Sequence, residues 1–246
     1  MDTFFLAAVA GAYLVAGFVK GVIGMGLPTV AIGLLGLMVT PAQAAAIMVV
    51  PSFITNVWQG VVGGALRELL RRLWPLLIGE WIGTAIGAVT LPHGNGGWAT
   101  VWLGTVLAIY ALLGLFKLQF TVPRRVEGHV GFFVGAATGF LSVVTGVFTM
   151  PSLPYIQALG LERDKLVQAL GLFFTTSTVA LAVALYHAGE LTTSLAGPAL
   201  LALIAALIAM PLGQLVRRRI APETFRFCFF IGLLLLGLRL ALRGVI

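Results

Sequence analysis

The chain has 246 residues, of which 60% are hydrophobic and only 9% charged, and its mean hydropathy is +1.07; a soluble globule needs more polar surface, so the sequence predicts an integral membrane protein. Its formal charge of +7 does not imply nucleic acid, because the basic residues are spread over several connectors without a basic domain or an aromatic stacking platform. A single cysteine, Cys228, excludes an intrachain disulfide, a thiol pair and a Cys-rich metal site.

A spanning helix needs about 20 apolar residues. Read in chain order, the candidates are Thr3 to Ile23, Ala42 to Val62, Leu73 to Leu91, Trp98 to Phe116, His129 to Val147, Leu166 to Tyr186, Leu195 to Val216 and Phe225 to Leu242. Two further apolar pieces are shorter, Pro28 to Val39 and Pro151 to Leu159. At ~1.5 Å per residue the longer covers roughly 18 Å of a ~30 Å hydrocarbon core, so each is expected to reach only part way across. The opening "MDTFFLAAVAGAYLVAGF" lacks a basic n-region and runs on into further apolar segments, which predicts no cleaved signal peptide. No connector is long enough to fold separately, and 1–246 is expected to form a single membrane domain.

Sidedness follows from Lys and Arg in the connectors. Arg67, Arg71 and Arg72 lie in one, Lys117, Arg124 and Arg125 in another, Arg163 and Lys165 in a third, and Arg217, Arg218, Arg219 and Arg226 in a fourth. The alternate connectors "PHGNGG" and "HAGELTTS" carry neither residue type. Placing the basic connectors in the cytoplasm leaves Lys20, Arg239 and Arg243 elsewhere and puts both termini outside. Thr3 to Val39 then becomes a helical hairpin inserted from outside, and His129 to Leu159 one inserted from the cytoplasm.

The two hairpins resemble each other. Gly17 and Gly21 can be laid on Gly135 and Gly139, and Pro28 on Pro151 after a five-residue insertion in the second copy. Each hairpin is followed by three spans, so residues 1–118 and 129–246 read as an inverted repeat. The expected fold is an all-α polytopic membrane protein of two halves, each a helical hairpin with a short helix plus three spanning helices. Inverted repeats with interrupted helices near the midplane recur among secondary transporters. The Gly-x-x-x-Gly spacing alone has a simpler reading, close packing of membrane helices.

Interrupted backbone is tolerated at membrane depth only where protein covers it or a cavity needs it. In "GMGLPT" the glycines break the first hairpin and Pro28 suits the start of a helix, where its missing N–H does no harm. That arrangement aims a helix N-terminus at the midplane, and "TGVFTMPS" does so from the opposite side. Opposed helix N-termini can receive an anion. Gly24, Met25 and Gly26 in the first tip, and Thr145, Gly146 and Thr149 in the second, are therefore candidate substrate-binding residues at a midplane site between the tips.

Lys20 lies one turn before Gly24, and a cation at such depth suggests function. The alternative is that its stem lets the ammonium snorkel to a watery vestibule. Asn56 and Gln59 stand at i and i+3 on one helical face. Thr175 and Thr176 occupy the matching stretch of the second half, although membrane hydroxyls often bond back to their own helix. Glu80 is the one acid within the expected spans and a candidate for proton coupling; it could instead lie near the cytoplasmic end, paired with a connector arginine. His93, His129 and His187 fall at segment ends on different sides and make no metal site. An intramembrane hydrolase needs a nucleophile and a base at one depth, which Ser142 and His129 do not offer. No catalytic residue, cofactor or metal is expected.

"GVIGMGLPTVAIGLLGL" with "PSFITNVWQ", and "TGVFTMPSLPYIQALGLERDKLVQALG" in the second half, resemble the sulfite exporter TauE/SafE family of bacterial membrane permeases over nearly the whole chain. The resemblance implies transport of small anions such as sulfite, sulfoacetate and related organosulfonates across the bacterial inner membrane. It implies that Gly24 to Pro28 and Thr145 to Pro151 are the paired motifs. The chain departs from the glycine-rich pattern at Met25, Leu27, Val147, Phe148 and Thr149, which bears on which anion is carried. The expected partners are a small anion and the lipid bilayer. A non-transporting membrane scaffold or assembly protein is the alternative, and it would need no polar midplane site.

Overall fold

The computed structural model describes residues 2–91, 97–116, 121–217 and 222–243, with the side chains of 222–224 excepted. Among them are ten α-helices: α1 (Thr3–Ile23), α2 (Leu27–Leu35), α3 (Pro41–Val61), α4 (Leu66–Thr90), α5 (Gly97–Leu115), α6 (Glu127–Thr145), α7 (Ser152–Ala158), α8 (Arg163–His187), α9 (Ala196–Arg217) and α10 (Pro222–Leu242), with a 3₁₀ turn at Thr193–Leu195. Eight are long and apolar enough to cross a membrane; α2 and α7 are the short pieces expected from the sequence. His93, Lys117, Arg218 and Arg219 lie outside the described residues.

Local chemistry sets the boundaries. The Asp2 carboxylate accepts from the Phe4 N–H at the start of α1, and the Thr40 hydroxyl accepts from the Gln43 N–H, with Pro41 as first residue of α3. Both are the capping chemistry of a helix N-terminus. Four boundaries differ from expectation by three residues or more: α2 ends at Leu35, four residues before Val39, α8 begins at Arg163, three before Leu166, α10 begins at Pro222, three before Phe225, and α4 begins at Leu66, seven before Leu73. "LRELLRR" is too charged for a hydropathy window, yet its leucines fall at helical spacing, and Leu69 and Leu73 are buried.

The described chain forms two compact units, Met1–Pro51 with Gly94–Lys117 and Leu191–Ile246, and Ser52–His93 with Leu118–Glu190. Each draws helices from both sequence halves. In the first unit α1 lies on α9 and α5 on α10, with α2 against α1, α5 and α10. The contacts are made by glycine. A Cβ on Gly17 would lie 2.6 Å from the Ala206 carbonyl oxygen, and Gly21 meets Met210 and Gly213 as closely. Gly104 and Gly237 do the same between α5 and α10. Such residues let helix backbones approach where no hydrophobic effect drives association.

In the second unit α4 lies on α6, and α8 packs on both. Gly79, Gly83 and Gly87 of α4 face Phe132, Ala136 and Phe140, while Gly135 and Gly139 of α6 face Leu76, Glu80 and Thr84. The C-terminal part of α3 meets α8 where Gly60 and Gly171 touch. The Gln59 amide donates to the Val167 carbonyl at 2.8 Å, and Gln168 donates to the Gly60 carbonyl while accepting from the Ala65 N–H, both at 3.0 Å. Gln168 thereby clamps the α3–α4 turn, where Gly63 and Gly64 have positive φ.

Candidate functional site

In the first unit, α1 ends at Gly24, which adopts the left-handed conformation (φ 86°) and donates its N–H to the Lys20 carbonyl at 2.7 Å. Met25 and Gly26 (φ 98°) complete the break, and α2 starts at Leu27 with Pro28 in its first turn and no side chain capping its N-terminus. Gly24 and Met25 are half-buried and Gly26 is buried. The Lys20 side chain is 4% exposed. Beside Pro28, the Thr29 hydroxyl is fully buried with no hydrogen-bond partner among the described residues. Thr29 is not among the residues the sequence singles out, although it is a polar residue in the otherwise apolar first turn of the short helix.

In the second unit, α6 ends in the same way at Gly146 (φ 70°), whose N–H donates to the Ser142 carbonyl at 2.7 Å. The Thr145 hydroxyl donates to Leu141 O at 2.8 Å and accepts from the Val147 N–H at 3.1 Å, which stiffens the turn. The Met150–Pro151 peptide is cis, and Ser152 donates to Phe148 O at 2.8 Å. Residues 145–150 are buried. Thr149 is the tip hydroxyl without a partner among the described residues.

The two hairpins differ by a helical turn. The left-handed glycine follows Gly21 by three residues in α1 but follows Gly139 by seven in α6. Four of the five inserted residues are thus one extra turn of α6, and the fifth lies in the tip. The paired glycines upstream, Gly17 with Gly21 and Gly135 with Gly139, serve helix packing on α9 and α4.

The remaining candidates belong to the second unit. Asn56 is fully buried on α3. Gln59 is committed to the α3–α8 crossing described above. Thr175 and Thr176 donate to Gly171 O and Leu172 O at 2.7 and 3.0 Å, so their hydrogens are used inside α8 and only their lone pairs remain. Glu80 is 0% exposed. Among the described residues no connector arginine pairs with it; Arg72 instead binds Glu127. Among the described residues no group of three His, Cys, Asp or Glu side chains could hold a metal.

Eight helices long and apolar enough to cross a membrane, two of them ending at left-handed glycines that lead into short helices, make a multi-pass membrane protein. Residues 9–240 match the sulfite exporter TauE/SafE family, and the chain belongs to that family. No curated protein and no solved structure matches it.

Proposed function

We propose that the protein is a secondary permease that moves a small sulfur oxyanion or sulfonate out of the cell across a bacterial inner membrane, by alternating access. The reading is carried by the break at Gly24–Gly26, set beside the buried Lys20, in a chain of this family. An anion needs donors and positive potential; the uncapped α2 N-terminus and the Lys20 ammonium provide both. In the second tip the Thr149 hydroxyl is the group left to donate. Asn56 shapes selectivity, while Gln59, Thr175 and Thr176 act through the packing their hydrogen bonds fix.

Exchange of partners between the sequence halves supports the inverted-repeat reading. The first hairpin's α1 packs on α9, and the second hairpin's α6 packs on α4; α4 and α9 hold the same place in their halves. Both termini are assigned to the outside by the connector charges. An inside-negative potential drives anion efflux by ~2.3 kcal/mol per charge per 100 mV, which suits an exporter.

The test uses purified protein in liposomes with labelled sulfite, thiosulfate and sulfoacetate, together with thermal stability across those anions and carboxylates. Flux of a sulfur anion and a matching stability increase are expected. Lys20→Ala should weaken the anion-dependent increase more than it lowers the melting temperature without anion. Absence of both flux and stabilisation with every sulfur anion would sink the reading.

A further inference from the structure

Glu80 has no part in the anion chemistry above, yet it is the most conspicuous polar group in its unit. It is fully buried on α4, and neither carboxyl oxygen has a hydrogen-bond partner among the described residues. One turn on, the Thr84 hydroxyl is equally buried and unpartnered. The helix crossing closes round this pair: a Cβ on Gly135 would lie 2.9 Å from the Glu80 nitrogen, and one on Gly139 would lie 2.7 Å from the Thr84 hydroxyl. From α8, Ser177 is the polar side chain that bears on the carboxyl, but outside hydrogen-bonding geometry; its hydrogen goes to Phe173 O at 2.9 Å.

The charged and titratable groups of the packed elements stand away from it. On α4 these are Arg67, Glu68, Arg71 and Arg72. On α6 they are Glu127 and His129, and on α8 they are Arg163, Asp164 and Lys165 at one end with Tyr186 and His187 at the other. All lie about two helical turns or more along their helices from the crossing. Arg72 is held by Glu127 and Lys165 by Glu68. An ionised carboxylate without donor or counter-cation is among the most costly groups to bury, whereas a neutral carboxylic acid is far cheaper. Among the described residues no group of three His, Cys, Asp or Glu side chains gathers there to hold a metal.

We propose that Glu80 is a coupling-proton site: its carboxyl holds one proton in this conformation and exchanges it with water during the transport cycle, linking anion movement to the pH gradient. The proposal rests on the anion-transport reading above. In liposomes an imposed pH gradient should drive accumulation of labelled sulfite or sulfoacetate by the wild type. Glu80→Gln should lose that accumulation while keeping anion counterflow and anion-dependent stabilisation. Full gradient-driven accumulation by Glu80→Gln would overturn the proposal, as would wild-type anion accumulation that ignores the pH gradient or follows a sodium gradient instead. Absence of wild-type counterflow would overturn the anion reading itself. The wild type alone gives a second readout, independent of whether the variant folds. Dicyclohexylcarbodiimide, which modifies protonated carboxyls in apolar surroundings, should label Glu80 and label it less as pH rises; no label at Glu80 would overturn the proposal.

Discussion

Arg72 grips Glu127 through two charge-assisted hydrogen bonds, Nε to Oε2 at 2.9 Å and Nη2 to Oε1 at 2.6 Å. The same guanidinium donates to Leu159 O at 2.9 Å, where α7 ends, and the Tyr155 hydroxyl donates to the Glu127 carbonyl at 2.7 Å. One ion pair therefore ties the starts of α4 and α6 to the far end of the short helix that follows the second tip. Arg72→Ala should destabilise the protein by about 2 to 4 kcal/mol, because it strands a largely buried carboxylate. Arg72→Lys should recover little of this, since an ammonium cannot reproduce the fork. Thermal unfolding in detergent reads both. The exposed Lys165–Glu68 pair is the contrast, and Lys165→Ala should leave the melting temperature close to wild type.

The α4–α6 crossing leaves no room for a side chain at its centre. A Cβ on Gly83 would lie 2.6 and 2.7 Å from the Ala136 carbonyl carbon and Cα. Gly83→Val should cost about 3 kcal/mol or more, or block folding, because the obstacle is backbone and cannot swing aside. Gly11→Ala, with nothing within 4 Å, should change the melting temperature little.

Gln168 satisfies one carbonyl and one N–H of the α3–α4 turn. Gln168→Leu keeps the volume but leaves both backbone groups without their partner, at a cost of about 1 to 3 kcal/mol. Faster proteolysis at Gly63 and Gly64 than in the wild type would accompany it. Unchanged stability and cleavage would show that water replaces the amide at no cost.

Arg243 donates to Leu37 O at 2.7 Å and, more loosely, to Gly36 O at 3.4 Å, capping the chain just past α2. Arg243→Ala should lower stability by about 0.5 to 1 kcal/mol through loss of a cation at a helix C-terminus. Its thermal shift on adding anion should match wild type.

Thr29 and Thr149 each bury a hydroxyl without a partner among the described residues. Replacing such a group with a methyl is neutral or stabilising when it does nothing else. Thr149→Val and Thr29→Val should therefore keep or raise the melting temperature without anion, and reduce the increase that anion brings. An undiminished anion response in both would remove these hydroxyls from the binding chemistry.

Hydropathy locates the ten helices of the described residues, because a span or a short apolar piece is a property of consecutive residues. The start of α4 escaped it where leucines at helical spacing share a turn with arginines. Pairings escaped it altogether: Gln168 with Gly60, Arg243 with Leu37, and Arg72 with Leu159 join residues far apart in the chain, and no local pattern encodes such partners. Of the candidate site, the glycines and prolines of the tips were legible, since only special backbone requires them. The commitment of Gln59, Thr175 and Thr176 to helix contacts was not, because it depends on which atoms lie opposite.

The exchanged partnership of the hairpins also sets a timetable. The glycine face of α1 lies on α9, so during synthesis it has no partner until Ala206 and Gly213 have been made. The matching face of α6 meets α4, which is already in the membrane when α6 arrives. The hairpin that comes first off the ribosome is thus the later one to be clasped, and until then the glycine face of α1 is open to lipid or to the insertion machinery.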